Sequence, residues 1–529
     1  MPYKVLLLDN VDPVCASVFN ERGVETEEPG KLDTEELKKI IGNYDGMVVR
    51  SATTVNADLL KHAGKLSVIG RAGVGVDNID IQAATARGIL VMNTPDGNTI
   101  STAEHTCGMI LAMARNIPTA VERVKSGGWD RKKFMGTELH RKILGIVGLG
   151  KIGSEVAVRM KAFGMDIIAY DPFTTHEHAA EFGIELKELD EVLKKSDFLT
   201  VHTPLTEKTQ GIISLKNAEK LKKGVRLVNC ARGGIIEEAD MYQLLETGIV
   251  AGIAVDVYST EPPDEELYKI LRHPGIICTP HLGASTEEAQ EKVAIQIAEQ
   301  ISDALESKSF KGSLNGKSIA LLTNKEVNPY LKLSEKLGRL AGQIKPEHSN
   351  QFSFEYTGLC ARYSEVLTDS ILKGMLAQFV DESVNLINAR HFAEERNFKI
   401  SETTSTNDKM YKDLITIRLG DDAEYHNISA TVFGPDDYRI VEIDGYGIEI
   451  QLEGNILMYR NIDKPGMLAS VAGKLASNGV NIGALSLGRD KKGSNAITAI
   501  IVDKHLSSDE LKPFFEMEDV HDVKYISLS

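Results

Sequence analysis

His281 stands in Cys278-Thr279-Pro280-His281-Leu282-Gly283, just past a short apolar run with the length of a strand, and Pro280 stiffens its approach. An imidazole titrates near neutrality, so it can take a proton from a hydroxyl or return one. Glu261, in Asp256-Val257-Tyr258-Ser259-Thr260-Glu261-Pro262-Pro263, offers a carboxylate that would stabilise the imidazolium and fix its orientation. Arg232, in Asn229-Cys230-Ala231-Arg232-Gly233-Gly234, carries a guanidinium whose steric cover two glycines remove, so it could grip a carboxylate in bidentate fashion. Arg, Glu and His at three successive strand ends suit a hydride transfer coupled to a proton. His202, at another strand end in His202-Thr203-Pro204, competes with His281 as the base.

A hydride needs an acceptor, and residues 142–171 supply the means to hold one. Ile143 to Val147 reads as a buried parallel strand, followed by Gly148-Leu149-Gly150-Lys151-Ile152-Gly153 opening a helix. Ile152, Val156, Met160 and Phe163 recur at helical spacing, Gly164 suits the helix end, and 165–170 supplies a second strand before Asp171. If the ligand is a dinucleotide, Gly148 permits the tight turn, Gly150 lets backbone approach the pyrophosphate, and Gly153 lets helix pack on strand. The helix N-terminus offers N–H groups to the phosphates. Asp171 sits where a carboxylate accepts hydrogen bonds from the adenosine ribose; with Pro172 and no Arg beside it, it favours NAD over NADP.

These residues need a scaffold. Strands are expected over 4–8, 46–49, 66–69 and 89–92, alternating with helices in a first α/β unit, and over 198–202, 226–229, 251–255 and 275–278 in a second, doubly wound sheet. Arg50, and Arg71 with the glycine-rich backbone that follows it, stand at strand ends of the first unit, where open parallel sheets bind ligands; an anion is the natural guest. A long helix is expected near 101–113 and another over 287–305. Residues 314–450 read as a separate α+β domain, and 454–529 as βαββαβ, with a turn at Lys491-Lys492-Gly493 and a helix burying Leu468, Val471, Ala472 and Leu475.

The chain has 529 residues, too many for one core. Its 60 basic against 76 acidic side chains give a formal charge of −16, which argues against a general nucleic-acid binder. No apolar run approaches the roughly 20 residues needed to span a bilayer, and MPYKVLLLDN begins as a strand without a signal peptide's basic flank, so a cytoplasmic location is expected. The 5 cysteines form no C-x-x-C pair, which points to reduced, packed thiols and no metal site.

The glycine-rich unit with Asp171, NCARGG, the D-V-Y-x-x-E-P run and TPHLGAST together resemble the D-2-hydroxyacid dehydrogenase family over residues 1 to about 310, in the long form that adds an intervening domain and a C-terminal ACT domain. The resemblance implies two Rossmann-like domains: a substrate-binding domain of 1–98 plus 287–313, and an NAD-binding domain of 99–286 inserted in it. An intervening domain of 314–452 and an ACT domain of 453–529 follow. It implies NAD-dependent oxidation of 3-phospho-D-glycerate, with His281 as acid/base, Glu261 its partner and Arg232 the carboxylate and carbonyl anchor. Asp256 would meet the nicotinamide carboxamide, and Lys151, Ile152, Thr203 and Pro204 would line the cofactor cleft. Val74, Gly75 and Asn98 would meet the substrate carboxylate and Arg50 its phosphate, while Arg131 or Lys132 would reach a neighbouring subunit's site. Tyr258 stands where many relatives have Phe, an exchange expected to be harmless. In ACT domains paired modules bind an amino acid between them; Asn461, Asp463 and Asn481 match the usual contact positions, with serine the implied effector and a homotetramer the implied assembly. Two alternatives share parts of this pattern: a glycerate or glyoxylate reductase, and a non-enzymatic NAD-sensing corepressor.

Overall fold

Short apolar strands between helices should pair in parallel with both faces covered, and the first two sheets do so. The computed structural model describes residues 2–316, 318–346, 349–380, 383–405, 410–421, 425–434, 436–491 and 493–528. The first sheet contains β1 (Lys4–Leu7), β2 (Glu25–Glu27), β3 (Gly46–Val49), β4 (Val68–Arg71) and β5 (Leu90–Asn93), all parallel, in the order β2-β1-β3-β4-β5. The helix Glu287–Leu305, capped by the Thr286 side chain, returns to this sheet. Its Val293, Ala294, Ile297 and Ile301 pack with Val5, Val48, Val68 and Met92. Gly70 permits the approach, since a Cβ there would stand 2.5 Å from Ile301.

The second sheet contains β6 (Ile143–Val147), β7 (Asp166–Tyr170), β8 (Glu185–Leu186), β9 (Phe198–Val201), β10 (Val225–Asn229), β11 (Val250–Val255) and β12 (Ile276–Cys278). Its order is β12-β11-β10-β9-β6-β7-β8, all parallel, so the strand order reverses between β6 and β9. That reversal opens a crevice at the C-terminal strand ends, the ligand position of open α/β sheets. The helices Thr99–Ala114 and Lys151–Ala162 pack beside each other on this sheet through Ile110, Met113, Val156 and Met160. Two edge strands, β2 and β8, are not anticipated by the sequence pattern: they are 3 and 2 residues long, and Leu186 is their single apolar side chain. Phe163, expected on the buried helix face, is 48% exposed because Gly164, at φ +75°, already ends the helix.

The third sheet runs β14 (Lys399–Ser405), β13 (Gln351–Thr357), β15 (Leu414–Gly420), β16 (Tyr425–Gly434), β17 (Asp437–Ile443), β18 (Tyr446–Gln451), mixed in direction. The fourth, antiparallel, runs β20 (Ile482–Arg489), β21 (Asn495–Val502), β19 (Asn455–Ile462), β22 (Val520–Ser527); with the helices Met467–Ser477 and Ser508–Phe515 it forms βαββαβ. Of the turn expected at 491–493, Lys492 lies outside the described residues. One face of the fourth sheet, Leu457, Tyr459 and Ile500, covers Val471, Leu475 and Phe514 of those helices. Leu468, expected inside, is 39% exposed. The other face, Ile456, Met458, Ile497, Ala499 and Ile526, enters one core with Val327, Leu337, Leu340 and Phe354 of the preceding region. The boundary expected near residue 452 therefore marks a change of sheet, and the apolar core runs across it. Arg460 adds an ion pair across the same boundary to the partly buried Asp444.

Among the described residues no helix is long and apolar enough to cross a membrane.

Candidate active site

The end of β12 turns sharply into the helix that follows it. Thr279 N–H bonds Val255 O (3.0 Å), His281 N–H bonds Thr279 O (3.1 Å), and His281 takes φ +55°, a left-handed conformation that costs an L-residue roughly 1–2 kcal/mol. The surroundings must hold that strain, and Asp256 is the centre of the clamp. Its side chain is fully buried; Oδ1 accepts Thr279 Oγ1–H (2.5 Å) and Leu282 N–H (2.8 Å), while Oδ2 accepts Gly283 N–H (2.8 Å). Thr102 Oγ1 donates to Gly283 O (3.1 Å), and the Tyr258 hydroxyl donates to Thr279 O (2.8 Å), an anchor that phenylalanine would lack. Burial works to raise the Asp256 carboxyl, but hydrogen bonds from His105, Thr279 and Leu282 outweigh it and hold the group below the usual carboxylate range.

Clamped this way, His281 meets Glu261 at 2.7 Å, Nδ1 to Oε2, and the other Glu261 oxygen accepts Tyr258 N–H (3.1 Å). Burial again works upwards on Glu261, but the hydrogen bond and charge of His281 and the Tyr258 amide keep its carboxyl low. An anionic carboxylate on Nδ1 leaves Nε2 of His281 for a substrate proton. His202 is different: burial pushes it down to about 4, and Nε2 lies 3.0 Å from Thr200 Oγ1. His202 reaches the second cavity, but with its Nε2 beside Thr200 and no carboxylate partner among the described residues to stabilise an imidazolium it is a poorer proton acceptor than His281 paired with Glu261.

The His281–Glu261 pair opens on a cavity of about 310 Å³ in which three arginines stand against the two carboxylates Asp77 and Glu261. Arg50, Arg71 and Arg232 all reach it, with the backbone of Val74 and Gly75 and the side chain of Asn98. Arg232 pairs with Asp77 (Nε–Oδ2, 3.2 Å), and its turn is tied by Asn229 Nδ2–H to Arg232 O (2.8 Å). A Cβ at Gly75 would stand 2.5 Å from Arg232 Nη2, so only glycine leaves the guanidinium its place. Burial and repulsion by Arg232 and Arg50 push Arg71 down to about 10, and its buried Nε has no partner. Three mutually repelling guanidinium groups with unused donors fit an anionic guest.

A second cavity, about 240 Å³, adjoins the first and is lined by Ile152, Thr203, Pro204, Cys230 and Gly283. Beside it, Gly148 has φ +99°, and a Cβ on Gly153 would stand 2.2 Å from Gly148 O. A Cβ on Gly150 would meet nothing within 4 Å, so the backbone there is open to an approaching pyrophosphate. No side chain caps the N-terminus of Lys151–Ala162, and its first N–H groups point where phosphates need them. Asp171 braces the loop, accepting Leu149 N–H (2.7 Å) and Phe173 N–H (2.8 Å), and its oxygens keep lone pairs for ribose hydroxyls. These residues fit a dinucleotide. Cys230 is pushed up to about 12 by burial and the more exposed Cys278 is raised for the same reason, which makes both weak nucleophiles.

Comparison with known proteins bears on the same residues. Residues 107–283 match the family described as D-isomer specific 2-hydroxyacid dehydrogenase, NAD binding domain, and residues 326–444 match the D-3-phosphoglycerate dehydrogenase intervening domain. The D-3-phosphoglycerate dehydrogenase of Bacillus subtilis (strain 168) is 40% identical over 521 residues, 98% of each chain. The chain belongs to the D-3-phosphoglycerate dehydrogenase family. That of Archaeoglobus fulgidus is 38% identical over 528 residues, 99% of this chain and 100% of the relative. Among solved structures, the TT0316 protein from Thermus thermophilus is 29% identical with a TM-score of 0.54, covering 59% of this chain and 99% of that one. As a family member the chain is an NAD-dependent oxidoreductase.

Several expected site residues sit differently from the sequence reading. Asp256 lines neither cavity; its oxygens are taken by the catalytic turn, so in this structure it is a brace for His281 and not a free contact for a carboxamide. Lys151 points across the cleft to an ion pair with Asp96. Arg131 and Lys132, in the short 3-10 turn Arg131–Phe134, are exposed and outside both cavities. Asn461 is buried, its Nδ2–H on Ile462 O (2.9 Å) and its Oδ1 unpartnered, while Asp463 accepts Arg489 Nη1–H (3.0 Å). Asn481 instead donates to Asp503 (2.6 Å). Along β21, Asn461 is registered with Ala496 and Ile482 with Val502, so Asn481 lies at the opposite end of the sheet from Asn461 and Asp463. Arg71, expected with Arg50 at an anion site, shares the first cavity with Arg50 and Arg232.

Proposed function

We infer that the chain oxidises the 2-hydroxyl of 3-phospho-D-glycerate to 3-phosphohydroxypyruvate, the first step of the phosphorylated route to L-serine. The observation that carries the substrate is the cluster of Arg50, Arg71 and Arg232 in one cavity with the His281–Glu261 pair. A substrate bearing a carboxylate and a phosphate would relieve the repulsion among these groups and use their free donors. The chemistry that bound NAD supplies is hydride acceptance. His281 Nε2 takes the hydroxyl proton as the C2–H bond breaks, and Glu261 stabilises the resulting imidazolium through Nδ1. Arg232 holds the carboxylate and the developing carbonyl, while Arg50 and Arg71 hold the phosphate. Val74, Gly75 and Asn98 contribute to the carboxylate, and Asp171, Gly148, Gly150, Gly153, Ile152, Thr203 and Pro204 hold the cofactor. Arg131 and Lys132, exposed away from their own cavity, would serve a neighbouring subunit in a homotetramer.

A substrate panel with NAD tests this reading. Preference for 3-phospho-D-glycerate over glycerate supports it; equal turnover of glycerate or glyoxylate points to the reductase alternative, and no turnover of any substrate points to the corepressor alternative. His281→Ala should lose turnover steeply and keep NAD binding.

We further take 1–98 with 287–313 as the substrate-binding domain, 99–286 as the NAD-binding domain, 314–452 as the intervening domain and 453–529 as an ACT-type effector domain, in a cytoplasmic enzyme. Asn461 and Asp463 stand about 20 Å along the sheet from Asn481, counting about 3.4 Å per residue. A serine site using all three therefore takes its two ends from different modules. Asn481→Ala in the full chain should abolish serine inhibition at unchanged basal turnover; full inhibition in that variant removes this assignment.

A further inference from the structure

The clamp on the catalytic turn has a member that lies outside both cavities. His105, on the helix Thr99–Ala114, stands one helical turn beyond Thr102, so the two side chains share a face. That face meets the turn from 279 to 283 at both ends. Thr102 Oγ1 holds Gly283 O (3.1 Å), while His105 Nε2 lies 3.2 Å from Thr279 Oγ1 and 3.2 Å from Asp256 Oδ1. The proton assignment follows from the partners. Thr279 Oγ1 spends its hydrogen on Asp256, and a carboxylate only accepts, so Nε2 of His105 must carry the N–H. The ring is mostly buried, its side chain 21% exposed, and Asp256 is wholly enclosed, so this N–H works in a medium where a missing donor is costly.

We propose that His105 is a positioning residue for His281: its Nε2–H completes the shell of donors around Asp256 and Thr279, and through them fixes the left-handed backbone that aims the catalytic imidazole. Asp256 then receives four donors, from Thr279, Leu282, Gly283 and His105, two of them the amides immediately following His281. Remove the fourth, and the carboxylate and the Thr279 hydroxyl are free to rotate. The amides of 282 and 283 lose their fixed acceptor, and the strained His281 backbone relaxes towards an ordinary conformation. The His281–Glu261 distance of 2.7 Å depends on that backbone.

This inference rests on the dehydrogenase reading above, and the wild-type enzyme's turnover of 3-phospho-D-glycerate tests that reading separately. The experiment compares His105→Leu, which removes the N–H, with His105→Gln, whose Nε2 stands the same number of bonds from the backbone. Steady-state kinetics with NAD and 3-phospho-D-glycerate and NADH binding by fluorescence are measured on the full chain. Leu should lower kcat about 10- to 100-fold, the scale of a misplaced catalytic group, with both KM values and the NADH affinity nearly unchanged. Gln should restore most of kcat. Should the leucine variant not fold, His105→Asn, whose amide is one bond too short, replaces it with the same expectation. Wild-type kcat in the variant lacking the N–H overturns the proposal. So does a loss that Gln fails to rescue or that raises KM and weakens NADH equally, for then His105 serves only general packing.

Discussion

Asp256→Asn separates the two roles open to this carboxylate. In the structure Oδ1 accepts from Thr279 and Leu282 and Oδ2 from Gly283, and the group has no exposed surface. An asparagine keeps one acceptor oxygen and puts an NH2 in place of the other, so whichever way it turns, at least one buried donor faces a donor. An unsatisfied buried donor costs about 1–3 kcal/mol. The strain at His281, with φ +55°, is roughly 1–2 kcal/mol. The loss thus matches or exceeds the strain the clamp must hold, and at about 1.4 kcal/mol per decade the aligned fraction of His281 falls roughly 10- to 100-fold. The assay is kcat at saturating NAD and 3-phospho-D-glycerate beside NADH affinity by fluorescence quenching. We expect kcat to fall in that range and the affinity to hold within about twofold. Unchanged kcat with a tenfold weaker affinity would refute the clamp and return Asp256 to the nicotinamide carboxamide.

Arg71→Met should raise KM for 3-phospho-D-glycerate about 10- to 100-fold, the worth of one charge-assisted hydrogen bond. It should also raise the unfolding temperature of the ligand-free protein, because burial and the Arg232 and Arg50 charges oppose this guanidinium; a KM within twofold of wild type counts against its phosphate role. His202 has a folded pKa depressed from 6.5 to about 4, so its contribution to stability is complete above pH 6.5 and is lost as pH falls towards 4, by up to about 3 kcal/mol. Urea unfolding of His202→Gln should accordingly lose less stability between pH 6.5 and 4 than the wild type, and an identical slope in the two proteins would show that His202 does not titrate this way. Asp256 and Glu261 act in the same direction at lower pH: their depressed carboxyls stabilise the fold above the ordinary carboxylate range, and that stability is lost as pH falls through their folded values.

The meeting of the three proposed site residues was legible because each follows an apolar run at a parallel strand end, where the topology of an open sheet gathers groups whatever their distance in sequence. His281, Glu261 and Arg232 met accordingly. The bracing of the 279–283 turn by Asp256 was not legible because its partners lie 26 and 27 positions on, and nothing in a linear pattern says which amides will fill a carboxylate. His105 was invisible for a similar reason: one polar side chain on a long helix reads as surface until the neighbouring sheet is placed. The boundary near 452 follows from the family resemblance and the βαββαβ order, yet Ile456-Leu457-Met458-Tyr459 and Ile497-Thr498-Ala499-Ile500 are nearly unbroken apolar runs. Such runs signal strands buried on both faces, and hence a second neighbour beyond the two helices of the module itself. The exposed Leu468 shows the limit of helical spacing, which gives a face but not what covers it.

That second neighbour constrains how the C-terminal module can influence the active site. The module shares a core with the helix Asn328–Ile344 and an ion pair between Arg460 and Asp444, so the two regions respond to a perturbation together. Contacts onward run to the first sheet: Ile387 joins its core, Asn385 Nδ2 donates to Gly88 O (2.9 Å), and Ser318 reaches the Asp369–Arg390 pair. Gly88 leads directly into β5, and β5 into Asn98 and the helix that carries Thr102 and His105. A ligand that shifts the module therefore acts first on the sheet presenting Arg50, Arg71 and Val74. An effector bound there should change the affinity for substrate more than the affinity for NAD, whose loop hangs on the other sheet, and by reciprocity substrate binding should shift effector affinity by the same factor.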